Sequence, residues 1–347
     1  MLSRVADSLY WAARYMERAD NLARLLLSTH ELFLDAGAES SDEAQFWSPV
    51  LMTTGDEKSY AARHGEIEGH KVAEFLALDQ ENPNSILNCI RAARENARTI
   101  RDQISDEVWG CINDLRLFVD SANGISMHRH QQATFYERVL RGSYQFQGIV
   151  TSTTPRGKGW HFLRLGACIE RADATSRLID TCSTLSHEVP PHPDAQPMRW
   201  AALLRSCSAW HAYQEYHNRL VPTKVLEYLL LEESFPRSVA NSIAGLKKSL
   251  MSLCEYQSED SMPEPVRLSG RLYADVVYST IGEILERGVH EFIDELQGRL
   301  NEIGQTIFET FVVYADLLPP VDETARLGIQ PGSWNTSKSG ESQTQHQ

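Results

Sequence analysis

The chain has 347 residues, 42% of them hydrophobic, with 47 acidic against 33 basic residues and a formal charge of −14. That length suits two domain-sized units with sizeable cores, and an acidic chain without a basic tract is a poor binder of phosphate backbones, so nucleic acid is not an expected partner. The six cysteines form no Cys-x-x-Cys and read as reduced core residues, no signal peptide is recognisable, and no segment reaches the roughly 18 apolar residues of a membrane span, so a cytoplasmic protein away from membranes is expected.

The first element is a long helix: Val5, Leu9, Ala12, Met16, Ala19, Ala23 and Leu26 recur at steps of three and four and make a packing seam. Asp35-Ala36-Gly37 ends it. Further helical patterns fill about 85–120, 128–150, 159–187, 198–218, 236–256 and 267–316, with breaks at 82–84, 154–157, 188–197 and 318–320. Ser85 and Ser105 are placed as N-caps. No alternating run bounded by turns reads as a strand, and the Ser/Thr/Gln/Gly-rich stretch after about residue 322 reads as a disordered tail.

An internal repeat is the strongest signal. At a constant offset of 153, Glu17-Arg18-Ala19-Asp20 maps to Glu170-Arg171-Ala172-Asp173, Arg24 to Arg177, Trp47 to Trp200, Tyr60 to Tyr213, His64 to His217 and Ser105-Asp106 to Ser258-Glu259. Residues 72–90 overlay 225–243 with 8 identities in 19 positions, where composition alone predicts about one. The expected fold is therefore all-α, a multi-helix bundle of two tandem, pseudo-two-fold-related repeats at 1–153 and 154–318, with a tail at 319–347.

Arginine outnumbers lysine 26 to 7, the residue of choice for bidentate carboxylate contacts. Arg18 falls in an apolar stripe with Trp11, Tyr15, Leu22 and Leu25 and needs a partner there, because an unpaired buried charge is costly. If the two first helices of the repeats cross, Glu17 meets Arg171 and Glu170 meets Arg18. Two readings follow: an ion-pair network fixing the register of the repeats, or an Arg-lined pocket for a carboxylate, phosphate or peptide in which Glu17 or Glu170 is a general base or an amine-binding group. Arg24, Arg138, Arg141, Arg156, Trp160 and Arg177 are further candidates for such a pocket, since 128–171 concentrates cations and aromatics beside the second motif. The loop at 156–159 is no Walker loop, and no Glu-x-x-His pair, His-Glu-x-x-His, Gly-x-Ser-x-Gly or Rossmann fingerprint occurs, so neither a metal site nor a bound cofactor is expected.

Five ordered segments, at 2–26, 91–109, 135–148, 159–180 and 204–239, together resemble the bacterial alpha-E family, an uncharacterised all-helical group with a Glu-Arg motif. The resemblance covers about residues 1–318 and puts the motif at Glu17-Arg18 and Glu170-Arg171. It implies association with a circularly permuted ATP-grasp protein, often with a transglutaminase-like peptidase, and hence a pathway that makes or modifies amide bonds. It transfers no established activity. The stretches 37–70 and 128–130 look idiosyncratic.

Overall fold

The computed structural model describes residues 1–37, 43–188, 195–254 and 262–313. Among them are sixteen α-helices and no strand. Helix α1 (Ser3–Asp35) runs for 33 residues, about 50 Å at 1.5 Å per residue. It contains no glycine or proline, and its seam from Val5 to Leu26 is buried throughout.

Three short helices follow, α2 (Ala44–Thr54), α3 (Glu57–His64) and α4 (Gly69–Ala77). Helices α5 (Ile86–Thr99) and α6 (Asp106–Asp120) start where expected: Ser85 accepts from the Asn88 amide and Ser105 from that of Val108. The helical stretch expected at about 128–150 is formed by the end of α7 (Ala122–His130) and by α8 (Gln132–Thr153), with a break at Gln131.

Helix α9 (Lys158–Glu188) opens the second half and is followed by α10 (Ala195–Ser206), α11 (Trp210–Tyr216), α12 (Pro222–Leu231) and α13 (Val239–Leu253). The run at 267–316 is interrupted by turns and comprises α14 (Glu264–Val277), α15 (Ile281–Arg287) and α16 (Val289–Phe308), the last continued by a π-turn at Glu309–Val313. The expected helix start at Ser258-Glu259, the break at 318–320 and the tail at 319–347 lie outside the described residues, as does most of the 188–197 break.

Helices α1 and α9 form the axis. Leu9 touches Gly159, Tyr10 touches Gly166, and Arg14 and Arg18 reach Glu170, so residue numbers rise together and the helices run in the same direction. Gly166 permits the close crossing: a Cβ there would stand 2.2 Å from the Tyr10 carbonyl oxygen. Helices α5 and α8 pack on α1, α13 and α16 pack on α9, and each short helix after a long one also reaches across, α2 to α9 and α10 to α1. All six cysteines are free and buried. His64 and His217 end their helices stacked on Tyr60 and Tyr213, with ring centroids 4.9 and 4.7 Å apart. No helix among the described residues is long and apolar enough to cross a membrane.

Candidate functional site

The two Glu-Arg motifs meet where α1 and α9 cross. Both oxygens of Glu17 accept from Arg171, from Nε and Nη2 at 2.7 Å each. Reciprocally, Glu170 accepts from Arg18 Nε at 2.6 Å and Nη2 at 3.1 Å, and from Arg14 Nε at 2.9 Å. The crossed pairs expected from the sequence are formed, each a bidentate fork that fixes orientation as well as charge. Burial acts to raise the Glu170 carboxyl, but the Arg18 hydrogen bonds and the Arg14 and Arg18 charges outweigh it and hold it below the usual carboxylate range. Arg18 and Arg14 lie over the rings of Tyr15 and Trp11, which accounts for the aromatic members of the stripe.

The two faces flanking this crossing differ. On the first, Asp20 has no solvent exposure and accepts from Arg24 through Nε and Nη2, both at 3.0 Å, and from Arg237. Arg237 also donates to Asn21 Oδ1 at 2.9 Å and lies 3.4 Å from Glu17. Arg24 reaches further to the Tyr144 hydroxyl, at 3.0 Å, and to Ser208. Three arginines therefore close over two carboxylates, and the face is filled.

The second face is a cleft of about 240 Å³. Arg18 and Asn21 enter it from α1, Asp56 from the end of α2, Asn84 from the turn before α5, and Glu170, Asp173 and Arg177 from α9. Arg18 Nη1 donates to Asn84 Oδ1 at 2.8 Å and Arg177 Nε to Asp173 at 2.9 Å. Here three carboxylates face two arginines. Asp56 is 7% exposed; one oxygen accepts from Ser59 Oγ at 3.4 Å, while Oδ2 is buried with no hydrogen-bond partner among the described residues. Asn21 Nδ2 is likewise buried and unpartnered. Its orientation is set by Arg237, a pure donor that requires the oxygen on its own side. Burial pushes the Asp56 carboxyl above its ordinary range, against the hydroxyls of Thr54 and Ser59 and the Arg18 charge. The cleft shares Leu25, Thr53 and Leu178 with a larger neighbouring cleft of about 500 Å³.

The other sequence candidates are divided. Trp160 joins Glu17 and Arg171 in a small cavity of about 110 Å³, together with Arg164 and Gln147. Arg138, Arg141 and Arg156 line neither space, and of the residues at 138–160 expected to line a concave surface with Glu17 or Glu170 it is Trp160 that does so. Arg138 lies over Phe118, Arg141 pairs with Glu137 at 2.9 Å, and Arg156 stacks 4.4 Å from the Trp160 ring centre. All three are exposed: α8 turns Arg138 and Arg141 to its outer face while burying Phe135, Tyr136, Val139 and Leu140, and Arg156 lies in the turn before α9. Proximity along the chain did not become proximity in space. The residues missed were Asp56, Asn84 and Asn21. Their signal was present as differences at the 153 offset: Ala209 stands opposite Asp56, and Arg237 opposite Asn84.

Two long co-directional helices locked by crossed Glu–Arg forks, inside an otherwise helical shell, define an all-α protein of the Glu-Arg-motif class. The chain belongs to the alpha-E family, described as a predicted alpha-helical domain with a conserved ER motif, which it matches over residues 1–312. It is similar to the uncharacterised protein Mb2597 of Mycobacterium bovis, at 24% identity over 94% of this chain. The uncharacterised proteins MT2643 and Rv2567 of Mycobacterium tuberculosis match it at the same identity and coverage. The chain spans 38% of the length of each of these relatives. No solved structure matches it.

Proposed function

We propose that this protein is the substrate-handling component of a cytoplasmic ATP-grasp ligase system that makes or modifies peptide bonds, with a transglutaminase-like protein as a further partner. Its ligand site is the open cleft beside Arg18 and Glu170. The observation that carries the site is that two residues lining that cleft, Asp56 and Asn21, each keep a buried polar atom, Oδ2 and Nδ2, without a hydrogen-bond partner among the described residues. Buried polar groups are ordinarily satisfied, and one that is not marks a place for a ligand. The reaction class rests on the alpha-E resemblance. A domain that makes up 38% of longer relatives is also suited to working with a second component.

We further read the architecture as a duplication with boundaries at 153/154 and 318/319. In its favour, α1 to α5 shifted by 153 fall within two residues of α9 to α13 at both ends. Ser238, 153 residues after Ser85, caps α13 as Ser85 caps α5.

The free-standing enzyme with Glu17 or Glu170 as general base is the weaker reading. Every oxygen of both carboxylates already accepts from a guanidinium, and Glu170 is held below the ordinary carboxylate range, the wrong direction for a base working near neutrality. Co-purification with the ATP-grasp protein, followed by ATP hydrolysis with and without this chain, tests the proposal. A stable complex with peptide-dependent stimulation is expected. Peptide turnover by this chain alone, with a bell-shaped pH profile, would replace the proposal with the enzyme reading.

A further inference from the structure

The two faces of the α1–α9 crossing present related charge arrangements, and one of them shows what completes the other. On the filled face, the Arg237 guanidinium sits among Asp20, Asn21 Oδ1 and Glu17. At the offset of 153, Asp20 becomes Asp173 and Glu17 becomes Glu170, both of which line the open cleft. The position that supplies the cation is Asn84 there, so no side chain brings one in. A carboxylate has been added as well, since Asp56 stands where the other half has Ala209. Arg14 and Arg18 pair with Glu170 and Arg177 with Asp173, so Asp56 is the carboxylate lining the open cleft that has no guanidinium among the described residues, and its Oδ2 is a buried acceptor as Asn21 Nδ2 is a buried donor. A ligand that satisfies both must bring a cation and an acceptor together.

We propose that this cleft binds the free amino terminus of a peptide, its ammonium on Asp56 in the place that Arg237 fills on the opposite face, and its first carbonyl facing Asn21 Nδ2 and Arg177. A metal cation would satisfy Asp56 but not the amide donor, and a simple anion would satisfy the donor but not Asp56. The neighbouring cleft of about 500 Å³, which shares the lining residues Leu25, Thr53 and Leu178, is the place proposed for the following residues of the peptide. The inference rests on the ligand-site reading of the same cleft and names the chemical class held there: the amine partner of an amide bond.

The test uses the full chain and a mixed tripeptide library with free amino termini, against the same library N-acetylated, followed by saturation-transfer NMR. The free-amine library is expected to give saturable transfer and the acetylated library none. Asp56→Asn, which keeps the shape and removes the charge, is expected to weaken binding at least tenfold. Asn84→Arg supplies the missing cation from the protein itself and is expected to abolish binding while the melting temperature holds or rises. Equal binding of the acetylated library, full binding by either folded variant, or no binding of either library would overturn the proposal. Ligase association is read in the separate co-purification and hydrolysis experiment, so peptide binding without ligase stimulation would sink the ligase reading and leave this one standing.

Discussion

The faces on either side of the Glu–Arg crossing are built from related residues and have different fates. One is sealed: Arg24, Arg171 and Arg237 leave neither Glu17 nor Asp20 an unpaired oxygen. The other is left open, with Asn84 and Asp56 at positions whose counterparts 153 residues on are Arg237 and Ala209. Buried ion pairs are costly to desolvate and gain little net stability, yet breaking one is expensive. The filled face therefore has the character of a register device and the open face that of a site. The ion-pair network read from the sequence lies on one side of the helix pair, and the pocket proposed here lies on the other.

If the faces differ in this way, the largest effect of mutation belongs to the filled one. Arg171→Leu removes both short hydrogen bonds to buried Glu17 and leaves it the Arg237 guanidinium at 3.4 Å and the Gln147 amide at 3.3 Å, and should cost roughly 3–5 kcal/mol in denaturant unfolding. Replacing Glu17 by Leu in the same chain should recover much of that. Arg18→Leu on the open face should cost less, roughly 1–3 kcal/mol, because Arg18 is 27% exposed against 13% for Arg171 and Glu170 keeps Arg14. Equal losses from the two substitutions would erase the distinction.

Acid titration sharpens it further. Glu170 and Asp20 have lowered carboxyl pKa values in the folded state, burial opposing and the arginines prevailing. Their contribution is thus fully present above the unfolded values of about 4.3 and 3.9 and is lost as pH falls through the folded ones. Asp56 has the opposite sign. Its raised folded value means the folded state binds more protons than the unfolded state just above pH 3.9 or so, and stability falls as pH rises through that window. Asp56→Asn should therefore stabilise the ligand-free protein near neutrality by about 0.5–1 kcal/mol, the scale of relieving a functional site, seen as a higher melting temperature. A lower melting temperature would mean that Asp56 is structural. Peptide binding should weaken as pH falls through the raised Asp56 value, with Arg18, Glu170, Asp173 and Arg177 the other charged groups facing the cleft.

Helix content and the crossed forks were legible because both depend on local, repeated signals. The α1 seam, the Ser85 and Ser105 caps and the Glu-Arg motif each recur or act within a few residues. The site was not legible because it is assembled from the end of α2, a turn before α5 and one face of α9, segments that contact only after folding. Cation density at 138–160 pointed elsewhere, since a run of arginines on an amphipathic helix ordinarily marks its wet side. Identities between the halves marked what holds the helices together. The exchanges at 56/209 and 84/237 marked where they do different work.

The most direct measurement is a reciprocal exchange at 84 and 237, one of the pairs that separate the two faces, followed by calorimetric unfolding of each variant. Arg237→Asn is expected to lower the melting temperature by several degrees, because Asp20 and Asn21 lose a buried donor, whereas Asn84→Arg is expected to leave it unchanged or raise it. A loss of stability on Asn84→Arg as large as that on Arg237→Asn would contradict the assignment of an open, cation-deficient site to one face and a sealed network to the other.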